Sequence, residues 1–383
     1  MTTQGPAGRA WPQLHEAQRA VLREVIIHGS QPRVELARKV GLSRTSLTRL
    51  AREMVDFGFL AEGESQRTPG RGRPRELLHL RPEAANFLGV KLTGDHLYAV
   101  VTDLAATVVD EKTEPLLSTA VEDVADQIAT VASEMLASRP LAAAAGVCLA
   151  GSVHDRDGNQ FVEHSTFLGW DSAPLPALLA ERIDLPVTVT NDVVALTGAH
   201  HWFGAGVGSS SLVVFGLGAG IGSGVVALDE IVRGANGRAG RVGHARLDLF
   251  GADERGMPCE LGHTTCVHSF ITIPAVEHNS GMPYDTALSA ARRGEPSAVR
   301  AFALAARALG IVIAEAVNAV DPDKVLVTGE GVDMMEIAPD AIRSGMLEYL
   351  EQVEVDSVVV ERPEFRFAHY ARGAAIAAMR DLV

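Results

Sequence analysis

Cysteine is scarce in this chain, and long apolar runs and a secretion signal are missing. Only Cys148, Cys259 and Cys266 occur among 383 residues. So few cysteines cannot build the disulfide framework of a small secreted protein, and they fit a reducing cytoplasm. Residues 1–11 lack the apolar segment of a signal peptide. We find no apolar run of the roughly 18 residues that span a membrane, so the sequence predicts a cytoplasmic protein without membrane contact.

Net positive charge is also missing, but the charges are unevenly divided. The formal net charge is −14. Residues 1–82 hold 14 Lys and Arg against 8 Asp and Glu, whereas the remainder holds 20 against 40. A basic N-terminal segment on an acidic body is typical of a DNA-binding module joined to a soluble partner domain. The length predicts two or three domains.

Residues 32–54 have the pattern of two short helices around a turn. Pro32 suits the start of the first helix, Gly41 suits the position after its end, and Ser43 suits the N-cap of the second. Apolar side chains recur at helical spacing on the second helix and predict a buried face formed by Leu47, Leu50, Ala51 and Met54. This is the pattern of a helix-turn-helix with a recognition helix. Its predicted DNA-contacting residues are Ser43, Arg44, Thr45, Ser46, Thr48 and Arg49.

A basic loop between two predicted strands, 57–60 and 76–80, follows the second helix. Glycine and proline alternate with arginine in this loop, which gives a slim cationic tip. Such a tip suits insertion into a narrow minor groove, as in a winged helix. The predicted contacts of the wing are Arg71, Gly72, Arg73 and Arg75, with Arg67 nearby. A solvated loop on a generic helical domain is the alternative, and the ordered occurrence of turn, cap, basic face and wing disfavours it.

Beyond residue 82 the chain has clusters of short strands followed by helices, and this pattern occurs twice. The predicted strands are 87–92, 97–103, 106–111, 144–150, 187–190, 211–215, 225–228, 324–328 and 357–361. The predicted helices are 121–137, 193–201, 297–320, 335–350 and 371–382. The repetition predicts an α/β protein with two similar lobes. We predict a winged helix over 1–82, a first lobe over 83–200 plus 369–383, and a second lobe over 201–368 that carries the dimerisation surface.

The ordered motifs of the body resemble the ROK family of bacterial sugar kinases and sugar-responsive repressors. The matching segments are 88–95 and 218–222 (two phosphate turns), Leu168-Gly169-Trp170, Asn191-Asp192 (the catalytic aspartate), 240–244, 259–266 (a zinc motif) and 321–331 (the adenosine side). The resemblance covers nearly the whole chain, and the winged helix is similar to the family's repressor branch. It implies a hexokinase/actin-like, ribonuclease H-like fold.

Both phosphate turns depart from the pattern of the family's kinases. Those kinases carry Asp-x-Gly-Gly-Thr at the first turn, where this chain has Lys91, Leu92, Thr93, Gly94 and Asp95. The magnesium-side aspartate is therefore a lysine, and Asp95 would repel phosphate. Ala219 replaces the threonine of the second turn. We therefore predict that the glycines of 216–224 shape a hairpin that binds no nucleotide, and we expect no ATP.

The resemblance also marks a ligand pocket. Asp192 has the position of the base in phosphoryl transfer, which cannot act without the phosphate turns. We interpret Asn191 and Asp192 as ligand contacts, with helix capping as the alternative. Arg241 and His268 replace two sugar-binding carboxylates of the family. A buried arginine needs an anionic partner, either Asp192 or Glu260 inside the protein or an anionic effector such as a sugar phosphate. The predicted ligand-binding residues are Asn191, Asp192, Arg241, His244 and His268.

The zinc motif of the family is incomplete in this chain because Leu261 replaces its middle cysteine. His244, Cys259 and Cys266 remain, and His263 or His268 could complete the four ligands of a tetrahedral structural zinc site. The alternative is a metal-free loop with two free thiols. Our predicted set is His244, Cys259, Cys266 and His263.

The leading hypothesis is a transcriptional regulator, a repressor, that binds double-stranded DNA and associates with the nucleoid. We expect a homodimer or a dimer of dimers on a palindromic operator, and a sugar-derived effector in the kinase-like body. Two alternatives stay open: a sugar kinase with an appended DNA-binding domain, and a regulator without a small-molecule effector.

Overall fold

The structure is a computed structural model that describes residues 11–66, 75–156, 159–247 and 255–383. The chain divides into two compact units, which we call unit 1 (Met1–Phe203 with Ala368–Val383) and unit 2 (Gly204–Phe367). The boundaries of unit 2 lie within three residues of the predicted second lobe. The finer division of unit 1 into a winged helix and a first lobe stays a prediction.

The N-terminal part of unit 1 contains the predicted helix-turn-helix. Its elements are α1 (Glu16–His28), β1 (Gln31–Pro32), α2 (Arg33–Lys39), α3 (Arg44–Asp56), β2 (Leu60–Gln66) and β3 (Arg75–Leu80). The strands form an antiparallel sheet in the order β1-β3-β2. Ser43 caps α3, because its Oγ accepts a hydrogen bond from Ser46 N at 3.1 Å. The predicted buried face of α3 is confirmed, since all four of its side chains are at most 1% exposed.

Two details of this region differ from the prediction. Pro32 lies at the N-cap of α2 rather than inside the helix. The first strand begins at Leu60 instead of residue 57, because the chain needs Phe57 and Gly58 to close α3. Phe57 N donates to Glu53 O at 2.9 Å, and Gly58 has φ 83°, a left-handed conformation that glycine adopts without strain.

The remainder of unit 1 is built on a mixed sheet. Its elements before the crossing into unit 2 are β4 (Asn86–Leu92), β5 (His96–Asp103), β6 (Val108–Pro115), α4 (Val121–Leu136), β7 (Ala142–Leu149), β8 (Ser152–Arg156), β9 (Asn159–Ser165), β10 (Trp170–Ala173), α5 (Leu175–Arg182), β11 (Val187–Asn191) and α6 (Asp192–Phe203). The sheet order is β11-β7-β4-β5-β6. Strands β8, β9 and β10 form a separate antiparallel sheet that the prediction missed, as it missed α5.

Unit 2 repeats this plan with more helices. Its elements are β12 (Leu212–Leu217), β13 (Ile221–Ala227), β14 (Glu230–Ile231), α7 (His268–Ile271), α8 (Ile273–Ser280), α9 (Tyr284–Arg292), α10 (Pro296–Val320), β15 (Lys324–Thr328), α11 (Met334–Ile337), α12 (Pro339–Tyr349) and β16 (Val360–Glu361), and the chain returns to unit 1 in α13 (Ala368–Leu382). The predicted helix 335–350 is split at Ala338, because Pro339 has no N–H to continue it. The predicted strand 357–361 is reduced to β16.

The two large sheets have the same topology, which confirms the prediction of two similar lobes. In unit 2 the order is β14-β13-β12-β15-β16. In each sheet the first three strands form antiparallel hairpins, the fourth strand pairs parallel with the first, and the fifth pairs parallel with the fourth. The glycine segment 216–224 is a tight hairpin, in which Gly216 pairs with Gly222. The strands therefore extend further into this segment than predicted.

One helix, α13, closes the sheet of unit 1. Backbone atoms of α13 approach the glycines of β4 and β7 so closely that a Cβ atom on Gly89 would lie 2.0 Å from Ala371 O, and one on Gly146 would lie 1.9 Å from Ala374 O. The winged-helix residues share a hydrophobic core with this sheet and its helices. Trp11 connects them, with its ring centroid 4.6 Å from that of Phe59 and 6.0 Å from that of Phe87.

Helix α10 corrects the expectation that no segment is apolar enough to cross a membrane. By length and composition it passes that test, with a mean hydropathy of 1.7 over 18 residues. However, 67% of that stretch is buried inside the protein, and side chains such as Phe302 and Leu309 belong to the core of unit 2. We therefore identify α10 as the core helix of unit 2.

Candidate functional site

The exposed side of α3 forms a basic and hydroxylic surface. Its members line one shallow depression, and we call this surface the recognition face: Arg44, Thr45, Thr48, Arg49 and Arg52. Thr48 Oγ1 donates to Arg44 O at 2.8 Å, and Arg49 Nη1 donates to Glu53 Oε1 at 3.1 Å. Guanidinium and hydroxyl groups arranged in this way can bind phosphates and base edges of DNA.

The predicted DNA contacts outside the recognition face either belong to other structural features or lie outside the described residues. Ser43 and Ser46 are engaged in the helix cap, where Ser43 Oγ donates to Ser46 Oγ at 3.0 Å. They mark the N-terminus of α3, whose partial positive charge also favours phosphate. The wing residues Arg67, Arg71, Gly72 and Arg73 lie outside the described residues. Arg75 is the first residue of β3.

Asp192 in unit 1 is paired inside the protein with Lys91. The Lys91 ammonium donates to Asp192 Oδ2, and the two residues are only 3% and 8% exposed. Lys91 Nζ also lies 4.8 Å from the centroid of the Tyr370 ring, which faces it as a cation–π partner. The sequence motifs did not reveal this pair, because the two residues are 101 positions apart. The carboxylate of Asp192 is thus neutralised by the Lys91 ammonium inside unit 1.

Asn191 takes the capping role that the sequence left open. Its Oδ1 accepts hydrogen bonds from Val193 N at 2.9 Å and from Val194 N at 3.2 Å, at the start of α6. Its Nδ2 donates to Gly151 O at 2.9 Å. All polar atoms of this side chain therefore have partners within unit 1, which favours the structural alternative for Asn191 over ligand contact.

The first phosphate turn is closed by its own side chains. Thr93 Oγ1 donates to Asp95 Oδ1 at 2.8 Å. This hydrogen bond and the neighbouring His96 hold the pKa of Asp95 below its usual value, so the carboxylate is negatively charged. Gly94 is packed against the backbone of Phe167, whose O would lie 2.8 Å from an added Cβ. The exposed carboxylate of Asp95 places a negative charge at this turn, which is unfavourable for phosphate.

The second phosphate turn, in unit 2, also faces a carboxylate. Glu330 Oε2 would lie 2.7 Å from a Cβ added to Gly218, so the carboxylate is against the tip of the β12–β13 hairpin. Gly218 N donates to Gly220 O at 2.9 Å, which commits it to the hairpin itself. That N–H group is therefore not free to bind a phosphate.

Four side chains of unit 2 form a candidate metal centre. One ligand atom from each of His244, Cys259, His263 and Cys266 lies within 4.8 Å of the other three. Ligands of a tetrahedral zinc ion are about 3.3–3.8 Å apart, which follows from metal–ligand bonds of about 2.0–2.3 Å. Small side-chain rotations would therefore bring these atoms to a zinc ion. The structure brings together the set that the sequence predicted.

The chemistry of these donors fits a metal ion. His263 Nδ1 is buried and has no hydrogen-bond partner within the described parts of the chain. Burial raises the pKa of the Cys266 thiol, which also lies beside Cys259. Backbone hydrogen bonds hold the loop in place, because Cys259 N donates to His263 O at 2.9 Å and Leu247 N donates to Thr265 O at 2.7 Å. A zinc ion here would bind two histidines and two thiolates and would crosslink the loop.

The predicted ligand residues of unit 2 lie beside this centre. The rings of His244 and His268 stack with centroids 5.8 Å apart, and Glu260 Oε1 lies 3.1 Å from His244 Nε2. Burial lowers the pKa of His268, although Glu260 at 3.9 Å from its Nδ1 opposes this effect. Arg241 is exposed. The premise that a buried Arg241 demands an anionic partner is therefore wrong, and Asp192, one suggested partner, is already paired with Lys91.

The fold and these sites define an α/β protein with an N-terminal winged helix and a body of hexokinase/actin type. The sequence profile of the ROK family matches residues 87–381. The chain belongs to the ROK family.

Three known proteins illustrate its similarities. The DNA-binding transcriptional dual regulator NagC of Escherichia coli K12 is 26% identical over 355 residues, which cover 87% of this chain and 84% of NagC. The crystal structure of a ROK family transcriptional regulator, a homologue of the E. coli MLC protein, superposes with a TM-score of 0.79 at 21% identity, over 94% of this chain and 95% of that one. A ROK family glucokinase from Streptomyces griseus, in complex with glucose and AMPPNP, gives a TM-score of 0.64 at 25% identity, over 77% of this chain and 100% of that one.

Proposed function

We propose that this protein is a DNA-binding transcriptional regulator and acts as a repressor. The observation that carries the proposal is the recognition face, an exposed set of arginines and threonines on a helix whose opposite side is buried. The similarity to NagC along most of both chains supports it. In this proposal Arg44, Thr45, Thr48 and Arg49 bind in the major groove, and Arg71 and Arg73 of the wing bind in the minor groove.

Genome-wide mapping of bound DNA, followed by binding assays, tests this function. A symmetric homodimer or dimer of dimers should select an approximate palindrome with an A·T-rich element under each wing. Arg49→Ala should weaken operator binding by about 1–3 kcal/mol if Arg49 binds a guanine. Arg182→Ala is a matched control, since this arginine pairs with Asp126 far from α3 in sequence. Unchanged operator affinity in both Arg49→Ala and Arg73→Ala would contradict the proposal.

We infer further that the body does not phosphorylate sugars. The support is the Lys91–Asp192 ion pair, together with Asp95 and Glu330 at the two phosphate turns. Without a magnesium-side carboxylate or an open phosphate turn, the phosphates of ATP are not held in place. A base at Asp192 then has no phosphoryl transfer to assist. An assay with ATP, Mg²⁺ and a panel of hexoses should give no sugar phosphate above a blank. Turnover that disappears in Asp192→Asn would support the kinase alternative instead.

For the metal centre we propose a structural zinc ion with His263 in place of the missing cysteine. Elemental analysis should find about one zinc per chain, because structural sites are closed and tight. His263→Ala should lose the metal. The control is His268→Gln, because His268 lies beside the four ligands but is not one of them. Protein prepared without chelator that holds no metal would refute the proposal.

The effector stays a prediction. His268 and the nearby Glu260 offer a donor and an acceptor in unit 2, but the exposed Arg241 no longer favours an anion over a neutral sugar. A thermal-shift screen of paired neutral, phosphorylated and acidic sugars decides the charge of the ligand. Stabilisation by a neutral sugar alone would show that the anionic assignment is wrong, and no stabilisation by any sugar would favour a regulator without this kind of effector.

A further inference from the structure

Glu53 is an acidic side chain beside the otherwise basic recognition face. Its Oε1 accepts a hydrogen bond from Arg49 Nη1 at 3.1 Å, one helical turn away. An exposed ion pair of this spacing contributes little to the stability of a helix. A carboxylate at a DNA-binding surface also repels phosphates and weakens non-specific binding. Neither the exposed ion pair nor simple attraction to DNA therefore explains an acid at this position.

The other side of Glu53 is anchored by α1. Gln18 Nε2 donates to Glu53 Oε2 at 2.8 Å, and Gln18 is only 6% exposed. Gln18 is itself held in a capping box with His15: His15 N donates to Gln18 Oε1 at 2.9 Å, and Gln18 N donates to His15 Nδ1 at 3.3 Å. Both carboxylate oxygens of Glu53 are engaged, and one of them is bound to a fixed and buried group.

Arg49, by contrast, has little packing of its own. Its side chain is 69% exposed, and an arginine in that environment samples many rotamers. The hydrogen bond to an anchored carboxylate restricts where its guanidinium lies. A guanidinium that is already oriented loses less freedom when it donates two hydrogen bonds to O6 and N7 of a guanine.

We propose that Glu53 is a positioning residue for base recognition, which holds Arg49 in the orientation that reads a guanine. The inference rests on the proposed DNA-binding function. Glu53 lowers the affinity for DNA in general and raises the discrimination between the correct base pair and a wrong one. Its effect on discrimination passes through Arg49, with Gln18 as the anchor.

Glu53→Gln removes the negative charge that the proposal requires and keeps the size of the side chain. The amide oxygen of the glutamine still accepts from Gln18, so the anchor stays satisfied, whereas the amide NH₂ cannot accept from Arg49. The measurement is fluorescence anisotropy with the mapped operator, with operators changed at the base pair that Arg49→Ala identifies, and with unrelated DNA. We expect the discrimination at that base pair to fall at least about threefold, since a bidentate contact discriminates by about 5- to 150-fold. Binding to unrelated DNA should become tighter, because a negative charge has been removed.

A double-mutant cycle distinguishes positioning from a general charge effect. In an Arg49→Ala background, Glu53→Gln should leave the discrimination unchanged while it still tightens binding to unrelated DNA. Glu24→Gln is the matched control, because Glu24 forms a surface ion pair with Lys39 in the same region, and it should leave discrimination as in the unaltered protein.

Two results would overturn the inference. One is full discrimination in Glu53→Gln at the base pair where Arg49→Ala loses it, and the other is an equal loss with and without Arg49. Either leaves the proposed function intact, because the operator is still bound. Absence of operator binding by the unaltered protein would instead overturn the proposed function and this inference together.

Discussion

The Lys91–Asp192 pair of unit 1 and the His/Cys cluster of unit 2 both occupy positions of family motifs, but their partners differ. In unit 1 the two charges are buried and neutralise each other. In unit 2 four ligand atoms converge, and His263 Nδ1 has no hydrogen-bond partner within the described residues. The carboxylate in unit 1 therefore has an internal partner, whereas the cluster in unit 2 is a donor set that suits a cation from outside the protein.

The difference shows two ways in which buried polar groups obtain partners. The buried carboxylate of Asp192 must be paired, because an isolated buried charge is strongly unfavourable. In the proposed zinc site, His263 supplies the ligand that Leu261 cannot supply. Histidine and cysteine are equally suitable ligands for tetrahedral zinc. The proposed loss of catalysis and the proposed retention of zinc follow from the same rule, namely that buried polar groups need partners.

The largest expected effect is that of metal removal. Chelation, or Cys266→Ser, should lower the free energy of unfolding by more than about 4 kcal/mol, the stabilisation expected when the metal is present at about 1,000 times its dissociation constant. The measurement is thermal unfolding with and without added zinc. Cys148→Ser serves as a control, because Cys148 lies in unit 1 and outside the cluster. Equal stability with and without chelator would show that no metal ion stabilises unit 2. The contrast between an internally paired carboxylate in unit 1 and a metal-binding cluster in unit 2 would then be wrong.

The second largest expected effect is the loss of stability when the Lys91–Asp192 ion pair is broken. Lys91→Ala or Asp192→Ala should each destabilise the protein by about 3–5 kcal/mol, because each removes the oppositely charged partner of the other buried charge. Lys91→Met combined with Asp192→Leu should cost much less, since both charges are removed and the volumes are similar. Urea unfolding of the unaltered protein, the two single alanine variants and the double alanine variant gives the coupling energy, and the Met/Leu variant is measured beside them. Additive effects of the single replacements would show that the two residues do not act as a pair.

The smallest expected effect is a difference in the rate of alkylation between the thiol of Cys148 and the thiols of Cys259 and Cys266. Burial is the main reason that the pKa of Cys148 is raised to about 12, with Asp192 adding to the shift and Lys91 opposing it. Cys148 therefore stays a protonated thiol at neutral pH. Its alkylation should accelerate about tenfold per pH unit below that pKa. In chelated protein, mass spectrometry should find Cys259 and Cys266 modified before Cys148, and the reverse order would contradict the assignment.

Local patterns were sufficient for much of the prediction. Helical spacing identified the buried face of α3, and Ser43 was recognised as its cap because capping depends on a few neighbouring residues. The metal set was found because its cysteines belong to one short segment. The small sheet β8-β9-β10 was missed, because its strands are short and their pairing is decided by contacts rather than by a strong alternation. Helix α10 shows that composition alone can mislead, since it is apolar enough to cross a membrane but most of its apolar stretch is buried inside unit 2.

The sequence by itself determined the family, the paired α/β lobes and the recognition helix, because each depends on periodicity or on an ordered set of motifs. Only the tertiary structure decided that Lys91 neutralises Asp192, that Arg241 is exposed, and that hydrogen bonds join Glu53 to both Gln18 and Arg49. Lys91 and Asp192 are 101 positions apart, and Gln18 and Glu53 are 35 apart. Burial and pairing of charges depend on which distant segments the fold brings together, and no local pattern in the chain records those distances.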